Sequence, residues 1–379
     1  MPPRCSFLSR LARRRRPGAA FTLIELLVAA GITALIAGFI AIIVRNVSAN
    51  WSRASGRLGA DAQARLVLDQ LQQDLQGAIY RDDGAVWFAA DVIDRTGNPA
   101  NLWTEAGRNP KPTGTGAAGS VILNPPSVAD GRFGKAGMWL RFFTTSRGSN
   151  VAANVATHSA PVAVGYQIIR RFSATNPANQ NAAYLLHRAQ ARPAADARGR
   201  PGVLESGFNI LAAAYTTSTA ANNNGATTGD PRGIQVPGTN QGGAGRNLDA
   251  VVADHVIDFG IRAYVYDRAR PGALRLVFPA DASGRPAGNA NSRYRPTLPP
   301  HTPPDQWGGA QPYPEVVDIM VRILTDEGAA QIANLERVQN PALAVPAKYN
   351  GNAAQWWWGV AAENSRVYTR RVVLQAKPL

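Results

Sequence analysis

The run "FTLIELLVAAGITALIAGFIAIIV", from Phe21 to Val44, constrains this chain more than any other feature. It holds 24 residues and a single ionisable group, Glu25. As an α-helix rising about 1.5 Å per residue it covers about 36 Å, enough to cross the hydrocarbon core of a bilayer with some tilt. Arg13 to Arg16 stand just before it. Basic residues beside a span stay on the cytoplasmic side, so the bulk of the chain, which follows the span, is expected on the opposite side. A secretory signal has a shorter apolar core followed by a small-residue cleavage site. Nothing after Val44 has that form, so the run reads as a retained transmembrane helix, residues 21–44.

The charge balance is strongly basic, with 40 Lys and Arg against 25 Asp and Glu, a formal +15. Six of the basic residues (Arg4, Arg10 and Arg13 to Arg16) lie before the apolar run; without them 34 face 25, a formal +9. Only Lys111, Lys135, Lys348 and Lys377 are lysines. An arginine excess in a chain so rich in Ala, Gly and Pro reads as compositional bias rather than as a nucleic-acid surface. The single cysteine, Cys5, precedes the span, so no internal disulfide can form within one chain.

Beyond the span, "ADAQARLVLDQLQQDLQGAIY" places Leu68, Leu71, Leu75, Ala78 and Ile79 on one helical stripe, with Gln70, Gln73, Asp74 and Gln76 mostly off it. This predicts a soluble helical half over residues 45–80, packed on a sheet and ended by Asp82-Asp83-Gly84. Residues 81–379 then read as an exported β-rich domain. "GMWLRFFTT" sets Met138, Leu140 and Phe142 against Trp139, Arg141 and Phe143. Val162, Val164, Tyr166 and Ile168 share a face, as do Ile257, Phe259, Ile261, Ala263 and Val265, and again Val317, Ile319, Val321 and Ile323. "RVYTRRVVL" reads as a last strand. Such alternation predicts half-buried antiparallel strands with one helix over a face, an α+β fold. Stretches rich in Gly, Pro, Asn and Thr, over about 94–130, 215–247 and 268–312, read as surface loops.

No nucleotide, dinucleotide, serine-hydrolase or zinc-protease fingerprint is present, so neither an enzyme nor a cofactor is expected. The four histidines (His158, His187, His255, His301) are scattered and predict no metal cluster. His187 and His255 read as structural residues on or beside strands. "DRTGNPAN" from Asp94 and "DASGRPAGNAN" from Asp281 carry oxygen ligands but lack the terminal acid of a calcium loop. In "QWWWGV", strand-like alternation sends Trp356 and Trp358 one way and Trp357 the other, with one side free to act as a contact surface.

The segment "AAFTLIELLVAAGI" resembles the class III signal of type IV pilins and pseudopilins. That resemblance implies that residues 1–20 are a leader, that a prepilin peptidase cuts between Ala20 and Phe21, and that the new amine of Phe21 is methylated. The family usually has Gly before the cut; this chain has Ala20. Glu25 falls at the fifth mature position, where the resemblance implies pairing with the amine of a neighbouring subunit in a filament. The order of a helix followed by a β-rich region, with "LRFFTTSRG", "YQIIRR", "YLLHR" and "PEVVDIMVRILTDEG", is similar to J-type minor pseudopilins of type II secretion. The last of these, with "VADHVIDFGIRAYVYD", is also similar to Verru/Chthon cassette C proteins. The resemblance implies a single-pass protein of the inner membrane, with a cytoplasmic N-terminus and a periplasmic domain. Its partners would be a prepilin peptidase, other pseudopilins or pilins, and the membrane. A pilus-tip or competence-type subunit that touches DNA or surfaces is the alternative; with arginine excess read as bias, nucleic acid is not expected as a partner.

Overall fold

The computed structural model describes residues 22–92, 111, 127–134, 137–145, 160–172, 182–191, 193–194, 202–212, 215, 251–279, 293–337, 345–375 and 377–378. The leader, Phe21, His158 and the loops from Asp94 and Asp281 lie outside these residues, as does most of 215–247. The chain divides into two compact units, residues 1–54 and 55–379.

The first unit holds the start of helix α1 (Leu23–Gln76). Its stretch Leu23–Ser48 is 26 residues long, apolar enough to cross a membrane, and nowhere buried. Leu23, Ile24, Leu26, Leu27, Leu35, Ile36 and Ile40 lie all round the helix and are all exposed.

The second unit joins antiparallel sheets to the remainder of α1, an α+β architecture. Its strands are β1 (Ile79–Tyr80), β2 (Phe88–Val92), β3 (Met138–Thr145), β4 (Pro161–Phe172), β5 (Ala182–Ala191), β6 (Val251–Asp254), β7 (Val256–Tyr266), β8 (Leu274–Phe278), β9 (Arg293–Tyr294), β10 (Val316–Leu324), β11 (Ser365–Val373) and β12 (Lys377–Pro378). A six-stranded sheet runs β6-β5-β4-β3-β2-β9 and a four-stranded one β11-β10-β7-β8; β1 and β12 form a short parallel pair. Helix α2 (Val203–Ser206) follows β5, α3 (Asp326–Arg337) follows β10, and α4 (Ala353–Glu363) precedes β11.

Within this unit α1 buries Ala60, Ala64, Val67, Leu68, Leu71 and Leu75, while Leu58 and Leu66 stay exposed. The helix stops at Gln76, before the expected Asp82-Asp83-Gly84. The reason is β3: Thr145 N–H donates to Gly77 O at 3.0 Å, and a Cβ on Gly77 would lie 2.7 Å from Thr144 Oγ1. Ala78 and Ile79 are buried as expected, but outside the helix. Asp83 shapes a turn instead, accepting from Ala85 N and Trp87 Nε1, both at 2.9 Å.

The strands fall where the alternation puts them, but the central ones are buried on both faces rather than one. In β3 every residue from Met138 to Thr144 is buried. Tyr166 on one side of the six-stranded sheet meets Phe259 of β7, with ring centroids 6.5 Å apart. On the other side Phe143 packs on Trp87, Phe208 and Tyr215 at 5.5, 5.5 and 5.6 Å. A sheet covered twice no longer needs polar residues on alternate positions. Half-burial holds at β11, whose residues alternate in exposure.

Two further expectations are corrected. Residues 268–312 are not simply surface loop: they supply β8 and β9 and bury Phe278, Tyr294 and Trp307. The three tryptophans lie on helix α4, not on a strand. Asn352 caps it by accepting from Gln355 N at 3.0 Å. Trp357 and Trp358 are buried, and Gly359 lets the helix approach Tyr349, whose hydroxyl would sit 2.3 Å from a Cβ there.

Candidate functional site

The only site residue from the sequence that falls among the described residues is Glu25. It sits in the first turn of α1, preceded by Thr22. Thr22 O accepts the first helical bond, from Leu26 N at 3.2 Å. Thr22 Oγ1 accepts from Glu25 N at 3.3 Å, and Glu25 Oε2 accepts from Thr22 N at 2.9 Å and from Thr22 Oγ1 at 2.9 Å. This is a reciprocal capping box, and a carboxylate there also faces the positive end of the helix dipole. Glu25 therefore is not a bare charge at the head of an apolar helix. The signal was present in the spelling T-x-x-E, which the pilin-like reading of the same letters left unused. Both local donors fall on Oε2.

The buried polar groups form separate clusters inside the second unit. Asp74 of α1 accepts from Arg188 Nε at 2.7 Å, from Arg188 Nη2 at 3.1 Å and from the Tyr166 hydroxyl at 2.5 Å. Burial, then the Asp74 charge, pushes the Tyr166 phenol well above its usual range. For Arg188 burial opposes the charge, but the Tyr166 and Asp74 oxygens outweigh it and raise its pKa. Asp74 was expected off the buried stripe; it is 7 % exposed because β4 and β5 supply its partners.

Lys111, placed by the sequence in a surface loop, is fully buried. Its Nζ donates to Asp258 Oδ1 and to Phe133 O, each at 2.9 Å. Burial lowers its pKa, and the Asp258 carboxylate only partly offsets this. Trp358 lies beside the pair, with Arg132 4.3 Å and Arg322 5.8 Å from its ring centre. No periodicity marks a lysine in "NPKPTG", so nothing local could have predicted it.

The structure does not bring the three described histidines together. His187 is buried on β5 opposite Gln167. His255 bridges β6 and β7 with φ of 60°, its Nε2 3.5 Å from Asp326 Oδ1. His301 Nδ1 lies 3.0 Å from Glu315 Oε1. Among the described residues no group of three metal-binding side chains occurs. Comparisons with protein-family models, with curated proteins and with solved structures return no match to this chain.

Proposed function

We propose that this chain is a minor pseudopilin or pilin-like subunit, cut between Ala20 and Phe21, held in the inner membrane by the Phe21–Val44 run and exposing its β-rich domain to the periplasm. The observation that carries the reading is the head of α1: a Thr22–Glu25 pair opens an apolar stretch that is long enough to span a bilayer and is exposed among the described residues. On this reading the residues after 54 form the amphipathic soluble half of a pilin-type helix, with Ala60, Ala64, Val67, Leu68, Leu71 and Leu75 as its apolar side. Catalysis plays no part; the work is assembly.

Glu25 then has two tasks. Its Oε2 caps its own helix, and its Oε1 remains open to the cationic amine of a neighbour's Phe21. A carboxylate at membrane depth is tolerated when it finds such a partner. Four arginines of the folded unit favour this reading over a nucleic-acid surface. Arg188, Arg366, Arg370 and Arg371 are each engaged by a carboxylate of the same chain.

Two measurements test the proposal. Mass spectrometry of the chain from cells with an active prepilin peptidase should find a methylated Phe21 at the N-terminus; an intact Met1 there, or a start beyond residue 40, sinks it. Recruitment to the other subunits should be read by co-purification beside a processing assay. Glu25→Ala should insert and be cut normally yet co-purify poorly, with Glu25→Asp intermediate. Glu25→Gln keeps a capping side chain without its charge, so it should fail like alanine. If Glu25→Gln co-purifies as well as the parent, the carboxylate only caps.

A further inference from the structure

A cluster on the six-stranded sheet has more positive charge than the described residues answer. Asp91 of β2 lies opposite Trp139 of β3 and Arg293 of β9, so the three side chains share one face across three strands. Two residues along β3 on the same face stands Arg141, flanked by Ala89 and Gly165, which leave it room. Arg295 comes two residues after Arg293. Asp91 is the carboxylate for all three arginines: Oδ2 takes Arg141 Nη2, and Oδ1 lies 3.2 Å from Arg295 Nη2 and 3.9 Å from Arg293 Nε. The Arg141 guanidinium stacks on Trp139, 3.7 Å from its ring centre.

One carboxylate against three guanidiniums leaves two positive charges in excess. Three donors are also buried without an acceptor: Arg141 Nε, Arg295 Nε and Trp139 Nε1. Buried donors are nearly always satisfied, so three in one cluster call for a missing acceptor. The Arg141 side chain is only 2 % exposed, whereas those of Arg293 and Arg295 are 52 % and 39 % exposed, which gives the cluster a floor and an open rim. Burial, helped by the neighbouring Arg295 charge and opposed by Asp91, lowers the Arg141 pKa to about 10.

We propose that this cluster binds a doubly charged tetrahedral oxyanion, either inorganic phosphate or a phosphomonoester, with Arg141 and Trp139 beneath it and Arg293 and Arg295 at its mouth. Two negative charges cancel the excess. A planar carboxylate would leave one charge unanswered, whereas a tetrahedral oxyanion accepts from several directions and suits the guanidinium fork.

The full-length chain in an uncharged detergent, titrated calorimetrically with inorganic phosphate, should show one saturable site. Sulfate should compete and acetate should not. Arg295→Gln removes a rim fork and should weaken phosphate by about tenfold or more, as the loss of a charge-assisted hydrogen bond does, with the far-ultraviolet circular dichroism unchanged. Arg293→Gln should weaken it less. Arg141→Gln should abolish binding, and if that variant fails to fold the two rim variants decide. Glycerol 3-phosphate and inorganic phosphate compared side by side reveal the source: tighter binding of the ester means a carried phosphomonoester, tighter binding of phosphate a free ion, and both support the site. No saturable heat with either, equal affinity for acetate, or unchanged binding in Arg295→Gln and Arg293→Gln overturns the proposal.

Discussion

Two stretches of one helix, Leu23–Ser48 and Ala60–Leu75, both carry leucines and alanines and meet opposite fates. The first carries Leu, Ile, Val and Phe all the way round and leaves them exposed. The second buries Ala60, Ala64, Val67, Leu68, Leu71 and Leu75, leaves Leu66 exposed, and carries acids that arginines answer: Arg366 and Tyr368 on Asp61, Arg370 on Asp69, Arg188 on Asp74. A helix that is apolar all round cannot be covered by one sheet; it needs an apolar surrounding on every side. The two stretches differ both in how many apolar side chains they carry and in which of those the folded unit covers.

Alkaline pH should break this parallel most widely. Tyr166, Tyr294 and Tyr313 are fully buried, and burial raises all three phenols above their ordinary range. Their folded forms hold a proton that the unfolded chain gives up near pH 10, so the stability they confer is intact below that pH and lost as it rises, by up to about 1.4 kcal/mol per unit for each. Tyr80, buried as well, is shifted the same way; Tyr264 and Tyr368 are shifted too and add less, because they are partly exposed and water screens them. Lys111 works in the opposite sense, its lowered pKa favouring the fold as pH rises towards about 10.4. The balance predicts cooperative loss of the β-rich unit above pH 10, with tyrosinate absorbance rising in step. The apolar stretch carries no ionisable residue between Glu25 and Arg45 and should remain helical in micelles, as circular dichroism would show.

Next in size are paired truncations. Leu71→Ala empties a site that is 0 % exposed and should cost about 2–5 kcal/mol of unfolding free energy. Leu35→Ala, at 60 % exposure, should change it by less than about 0.5 kcal/mol. Denaturant titration followed by tryptophan fluorescence reads both. Equal losses would mean that the two stretches are supported alike.

Asp74→Ala should cost about 3 kcal/mol in the same assay, because it strands Arg188 among buried groups. Replacing both partners, Asp74→Leu with Arg188→Met, should recover much of that loss. The smallest effect belongs to the capping box. Thr22→Ala should cost about 1 kcal/mol, seen as faster amide exchange in the first turn of α1 and no shift in the unfolding of the β-rich unit.

The strands were legible because alternation survives wherever one face is apolar: Ile257, Phe259 and Ile261 name β7 without any tertiary information. The covered second face was not legible, because whether Trp139 and Gln167 meet water depends on what the rest of the chain lays over them. Nor was the end of α1, since Gly77 stops it through a hydrogen bond to Thr145, far away in sequence. Lys111 and Asp258 stand 147 positions apart, and neither has a neighbour pattern that betrays the other. The tryptophans misled for a local reason: three bulky aromatics favour strands by propensity, yet Asn352 supplies a cap and Gly359 a close approach, and together they fix a helix. At the candidate site the T-x-x-E from Thr22 to Glu25 spells out the capping box found at the head of α1.

The acids of α1 also set a schedule. Asp61 and Asp69 find their arginines and tyrosine on β11, between 301 and 307 positions later in the chain. A ribosome adds about 5–20 residues per second, so the helix waits at least about 15 seconds after its own synthesis before those partners exist. Through that interval Asp61 and Asp69 stand without these partners, and a chaperone or a membrane surface has first claim on that part of the helix. Any variant that slows β11 lengthens this exposure without altering a single contact of the finished fold, and its yield should fall while its melting temperature stays where it was.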